Sequence, residues 1–394
     1  MRAFRIEGPR GAAVAAAVGV ACCLGCTSRV LGDGTTTTGH DGGAGGSAGN
    51  RGDAGRGGSG GTGGGTGGSG GTGGSPGDPC VIACGAMACP VRVGQPRVLV
   101  TSPFDQQLAA LAVTADTLYW GTYPNQTPGE IRSMPLAGGP STRLADNVIV
   151  SELYLDGSTL YYVTNDRTGM SSLALIPAAG GTARVVATGS GIGFVTADAS
   201  GIYFGQKNAG GYRIMRFDRA GAGVTPVVDV TGTLWGFAVD ATNIYWASYS
   251  NGGTLYRRSL AGGDTTMLRA SSAPITSPIV DGDDIDFVEG INTPDTCQSS
   301  IWAVSKVGAG TPRLISPGTS GIDAWRPVRD DTHVYWGRSS HQGAVLRTVR
   351  GQPPETPQIL AEDQVNVGAL ILGPTDVYWI ASSGSVYEVR TLPK

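Results

Sequence analysis

Seven times along the chain, at steps of about forty-two residues, a short turn leads into one apolar residue and an aromatic pair, as in Asp240-Ala-Thr-Asn-Ile244-Tyr245-Trp246. Aligned on the apolar residue, the repeats fall at Leu118, Leu160, Ile202, Ile244, Ile285, Val334 and Val377, giving steps of 42, 42, 42, 41, 49 and 43. A unit of this length cannot bury its apolar faces alone, so its neighbours must supply the rest of the core. The spacing predicts a toroid of similar units, and one large domain from residue 96 to 394 rather than several ordinary ones.

Each unit reads as four strands. In the fourth, Leu234–Val239, Ile244–Ser248, Thr254–Leu260 and Thr265–Arg269 are apolar or β-branched runs separated by Asp240-Ala-Thr-Asn, Asn251-Gly-Gly and Ala261-Gly-Gly. The Gly pair recurs at Gly138-Gly139 and Gly180-Gly181, where a turn needs positive φ. Asp156, Asp198, Asp240, Asp281 and Asp330 open the first turn of their units, and a carboxylate there can accept hydrogen bonds from its own turn amides. Consecutive strand residues point to opposite faces, so Tyr245 and Trp246 can both be buried only if both faces of their sheet are covered. Blades packed around an axis cover both. The aromatic pairs are therefore expected to be core between blades. In the fifth unit Asp286-Phe287 stands in their place, making one face polar.

The seventh unit runs out after three strands, near Leu392, whereas Pro96-Arg97-Val98-Leu99 ahead of the first unit matches the fourth-strand run Pro312-Arg313-Leu314-Ile315. Pairing these ends would close the ring and remove an exposed edge. The expected fold is all-β: a seven-bladed β-propeller of four-stranded antiparallel blades, with a strand at about 96–102 completing the last blade at about 374–394.

The repeat, with Val-Asp, four residues and then Tyr-Trp, resembles the YWTD repeat of low-density-lipoprotein-receptor-type propellers, and more closely exported bacterial propeller lipoproteins of unassigned function. Gly121-Thr122, Ala247-Ser248, Gly337-Arg338 and Ile380-Ala381 follow the aromatic pairs where those receptors have Thr-Asp, and the receptors have six blades, so the resemblance implies no receptor function.

Residues 1–26 join Arg2, Arg5 and Arg10 to an apolar run from Gly11 to Leu24 that ends at Gly25-Cys26, which resembles a lipoprotein-type signal peptide with Cys26 as the lipidated residue. Cys22 is a second possible acceptor, and simple secretion is the alternative. Residues 27–79 are Gly/Ser/Thr-rich, with nothing to seed a core. As a flexible tether, the 46 residues from Gly34 to Pro79 span roughly 34–41 Å. Residues 80–95 form a Cys-containing lead-in. In an exported chain Cys80, Cys84, Cys89 and Cys297 are disulfide candidates, with one pair expected inside the 80–89 cluster and the second bridge open.

A formal charge of −3 and the absence of a Lys/Arg run argue against a nucleic-acid partner. With three His in the chain, one of them in the tether, no metal-ligand spacing, nucleophile elbow or phosphate loop is present, so no catalytic, cofactor or metal residue is assigned. The first and third turns of the units are nearly uniform and share one rim. The opposite rim carries second loops and blade crossings that differ from unit to unit, and a diverse rim reads as the binding face. Its ligand-face candidates are Asp105, Gln106, Glu152, Trp235, Asp286, Asp323, Trp325 and Arg326. The expected function is that of a monomeric module, anchored to a bacterial membrane by its N-terminal lipid only, that binds an envelope protein or glycan. The alternative is an extracytoplasmic lactonase, lyase or glycan-acting hydrolase with a site at the channel mouth.

Overall fold

The computed structural model describes residues 94–394 apart from 125–127, 222, 294–295, 309, 321–325, 339–342 and 352–355, with backbone alone at 291–293, 296–298 and 318–320. Strands alternate with tight turns. They assemble into seven four-stranded antiparallel sheets, six with their strands in chain order and one that sets the first described strand beside the last. Blades 1 to 6 occupy residues 108–146, 150–190, 193–231, 233–271, 275–320 and 328–361. Blade 7 takes its three inner strands from 370–393 and its outer strand from Arg97–Pro103. That closing strand runs antiparallel to Val386–Pro393, with Arg97 opposite Thr391 and Pro103 opposite Val386. Just beyond it, Phe104 stacks on Tyr387 with ring centroids 5.5 Å apart. The ring is a seven-bladed propeller closed by three strands from one terminus and one from the other.

The aromatic pairs divide between the two seams that flank each blade. Tyr245 lies in the cluster between blades 4 and 5, together with Ile275 and Phe287, whereas Trp246 lies in the cluster between blades 3 and 4 with Tyr203 and Val228. Tyr119 and Trp120, Tyr161 and Tyr162, and Tyr335 and Trp336 split the same way, the first ring facing the following blade and the second the preceding one. Tyr203, Tyr245, Tyr335, Trp336 and Trp379 are almost fully buried. Burying a side chain of this size stabilises the fold by roughly 1.5–3 kcal/mol relative to leaving it exposed.

A second element reinforces the seams on the uniform rim. The first-turn Asp closes its own turn, as Asp240 Oδ1 accepts the amides of Thr242 and Asn243 at 2.9 and 2.8 Å. Its other oxygen accepts the tyrosine hydroxyl of the aromatic pair, at 3.0 Å for Tyr245, 3.0 Å for Tyr335 on Asp330 and 3.1 Å for Tyr203 on Asp198. The same acid also meets a cation from the next blade. Asp156 pairs with Arg219, Asp240 with Lys306, Asp281 with Arg350 and Asp330 with Lys394, and each cation directly follows the third strand of its blade.

Candidate functional site

The first strands of neighbouring blades meet around the axis, so one repeat position lines the channel. Four residues before the first turn, this position holds Ala110, Glu152, Phe194, Gly236, Ser277, Arg326 and Ala369 in blades 1 to 7. The strand register shifts here in blades 1 to 5. Phe194, Ser277 and Arg326 take left-handed backbone angles, with φ of 58°, 52° and 50°. A left-handed residue turns successive amides to one side and forms an anion nest. The amides of Phe194 and Val195 both donate to the Glu152 carboxylate, at 3.0 Å each.

Two of the expected ligand-face residues satisfy each other. The Arg326 guanidinium reaches from blade 6 to Glu152 on the far side of the ring, with Nη2 2.6 Å from Oε1, and lies 5.4 Å from the centre of the Phe194 ring. Burial alone would raise the Glu152 pKa, but the Arg326 charge and the two amides outweigh it and hold the carboxyl below its usual range. Glu152 is thus a strut, its carboxylate taken up by Arg326 and two backbone amides. A general acid or base must turn its proton-bearing oxygens toward a substrate, and here they are turned toward Arg326 and the amides of Phe194 and Val195.

The remaining candidates lie apart. Asp105 is exposed and Gln106 half-buried in the turn between the closing strand and blade 1, where the Gln106 amide donates to Pro103 O at 2.9 Å. Trp235 packs into the seam between blades 4 and 5, edge-on to Tyr249 with centroids 6.3 Å apart. Cys26, Cys80, Cys84, Cys89, Asp323 and Trp325 fall outside the described residues, as does the side chain of Cys297.

Asp286 corrects the expectation that the break in the repeat faces a ligand. It is 1% exposed, on the face of blade 5 where the other blades place the tyrosine that looks toward the following blade. Neither carboxylate oxygen has a hydrogen-bond partner. The turn acid Asp281 instead takes Arg329 at 3.0 Å and Arg350, whose Nε lies 3.1 Å from Oδ2. Burial, then the nearby Asp281 charge, push the Asp286 pKa up to about 7, against the opposing pull of Arg329 and Arg350.

The acid–cation seam is what sequence reasoning missed, although a signal was present. The residue following the third strand reads Leu136, Ala178, Arg219, Leu260, Lys306, Arg350 and Lys394, and a cation appears there only where the preceding blade has a first-turn Asp. Among the described residues, no group of three or more His, Cys, Asp or Glu is arranged to hold a metal ion, and no helix is long and apolar enough to cross a membrane.

This fold and channel define a class, the seven-bladed propellers of four-stranded blades. No protein-family model and no curated protein sequence matches the chain. Similar solved structures include the β-propeller domain of the Trilobed protease from Pyrococcus furiosus, at 9% identity and TM-score 0.54, over 73% of this chain and 95% of that one. A puromycin-hydrolyzing peptidase of Mycobacterium tuberculosis is similar at 11% identity and TM-score 0.56, over 78% of this chain and 54% of that one. The chain therefore spans about half the length of that peptidase. A putative TolB from Agrobacterium tumefaciens is similar at 16% identity and TM-score 0.42, over 55% of this chain and 84% of that one. At these identities the likeness to the Trilobed protease domain and the peptidase shows a shared propeller fold.

Proposed function

We propose that this protein is a binding module of the bacterial envelope, exported and anchored through Cys26, with residues 27–79 as a tether, whose diverse rim engages an envelope protein or glycan. The observation that carries this reading is the channel ring itself. Its positions hold Ala110, Gly236, Ser277, Ala369 and Phe194, and its two charged residues, Glu152 and Arg326, are paired with each other. Such a ring offers a scaffold for the loops above it and no converging acid and base for hydrolysis. One rim loop is tied to the next, where Arg167 donates to Pro124 O of the neighbouring blade at 2.5 Å. The printed names of the peptidases describe those proteins.

The test is capture from the envelope fraction by the tagged full chain, compared with a chain whose second loops at 165–168, 207–208 and 249–251 are scrambled. The expected result is a partner retained by the first and lost by the second. Equal recovery by both, or turnover of a lactone or glycan substrate that Glu152→Gln abolishes, would reject the reading.

A further inference from the structure

Six of the seven seams on the uniform rim are filled by a long side chain at the position after the third strand. Arg219, Lys306, Arg350 and Lys394 pair with acids of the preceding blade, and Leu136 and Leu260 pack into the seam cores between blades 7 and 1 and between blades 3 and 4. At the remaining seam, between blades 1 and 2, both partners change. Thr114 stands in place of the acid and Ala178 in place of the long side chain. Thr114 keeps the turn closed, since its Oγ1 accepts the Thr117 amide at 2.9 Å, but it presents no charge to the next blade. A cleft of about 550 Å3 opens at this seam, with Thr114 and Ala178 both in its wall.

The lining is uncharged. Hydroxyls come from Thr114, Thr117, Ser133, Thr142 and Ser158, beside the edge of Tyr119, and the apolar surface comes from Met134, Leu144 and Ala178. Asp116, next in the chain to Thr117, accepts the Thr114 and Thr117 hydroxyl protons at 2.7 and 2.9 Å, which turns their lone pairs outward as acceptors. A purely apolar ligand would strip water from these hydroxyls and return no hydrogen bond, and an anionic one would face the Asp116 carboxylate behind them with no cation in the wall. A ligand with many hydroxyls and an apolar ring face meets both demands. The size lies within the range of small-molecule sites, about 300–1,000 Å3. We infer that the seam between blades 1 and 2 is a binding site for a neutral sugar unit, on the rim opposite the proposed partner face and independent of it.

The experiment is titration of the full chain with maltose, cellobiose and diacetylchitobiose, with galacturonic acid as the charged comparison, followed by calorimetry and amide NMR shifts. At least one neutral sugar should bind with a Kd in the millimolar range or tighter, shifting amides of blades 1 and 2. Ala178→Leu, which copies the residue that fills two other seams, should weaken it at least tenfold while leaving Tm unchanged or raised. Thr142→Val, at an exposed strand position, should weaken it severalfold, and the scrambled second loops should not affect it. Absence of neutral-sugar binding, wild-type binding by Ala178→Leu, or equal binding of galacturonic acid would each overturn the inference. Loss of partner capture with sugar binding intact would overturn only the function proposed for the other rim.

Discussion

Asp286 shows what a single residue does when it leaves the repeat. A tyrosine here would fill the seam with its ring and give its hydroxyl to the turn acid, whereas Asp286 sets a second, shorter carboxyl beside Asp281. Its folded-state pKa lies above the unfolded value near 4, so the folded protein holds the proton over a range in which the unfolded chain has lost it. Stability from this group is therefore greatest below about pH 4 and falls as pH rises toward 7. Asp240 and Asp330 act in the opposite sense: despite partial burial, Lys306 and turn amides at Asp240, and turn amides and hydroxyls at Asp330, hold their carboxyls below the usual range. Their contribution is present at neutral pH and is lost on acidification. Asp286→Asn should therefore raise stability at pH 8 by roughly 1–3 kcal/mol and flatten the decline between pH 4 and 7, read from urea midpoints across that range. A variant that keeps the wild-type slope would show that Asp286 does not titrate there. The Asp itself was evident in the sequence as a break in the pattern. Its burial was not, because only the direction of the missing tyrosine, toward the following blade, says what the carboxyl faces.

At the scale of the strand and turn, the repeat explained most of the architecture in advance. The Gly-Gly turns, the fourth-repeat strands and the closing strand lie where hydrophobic alternation and turn residues place them, since each is decided by local chemistry. The acid–cation seams and the Glu152–Arg326 strut join residues 63 to 174 positions apart and carry no local signature. Comparing one repeat position across all blades would have exposed the seams. Asp240→Ala removes the acceptor for two turn amides, the Tyr245 hydroxyl and Lys306, and should cost about 2 kcal/mol. Lys306→Met removes the cation but spares the turn, so a cost of about 0.5–1 kcal/mol is expected. Equal losses for the two in thermal melts would contradict the division of roles. Glu152→Ala leaves Arg326 and two amides without their acceptor and should cost about 2–3 kcal/mol. Removal of residues 94–103 exposes the Val386–Pro393 edge, so such a chain should melt earlier and associate through that edge, a change visible by light scattering.

For the whole molecule, the ring separates scaffold from surface. The aromatic pairs, the seam cores and the closing strand hold seven similar blades in place, and the channel position carries small residues, Phe194 and one internal ion pair. What varies from blade to blade is the rim that carries the second loops, and the sequence showed that diversity without showing which loops act together. Hydrogen exchange on the full chain with its captured envelope partner tests the assignment most directly. The prediction is slowed exchange at 165–168, 207–208 and 249–251, with the first- and third-turn amides at 240–243 and 261–263 unchanged. Protection confined to those turns, with the second loops exchanging as in the free protein, would contradict it.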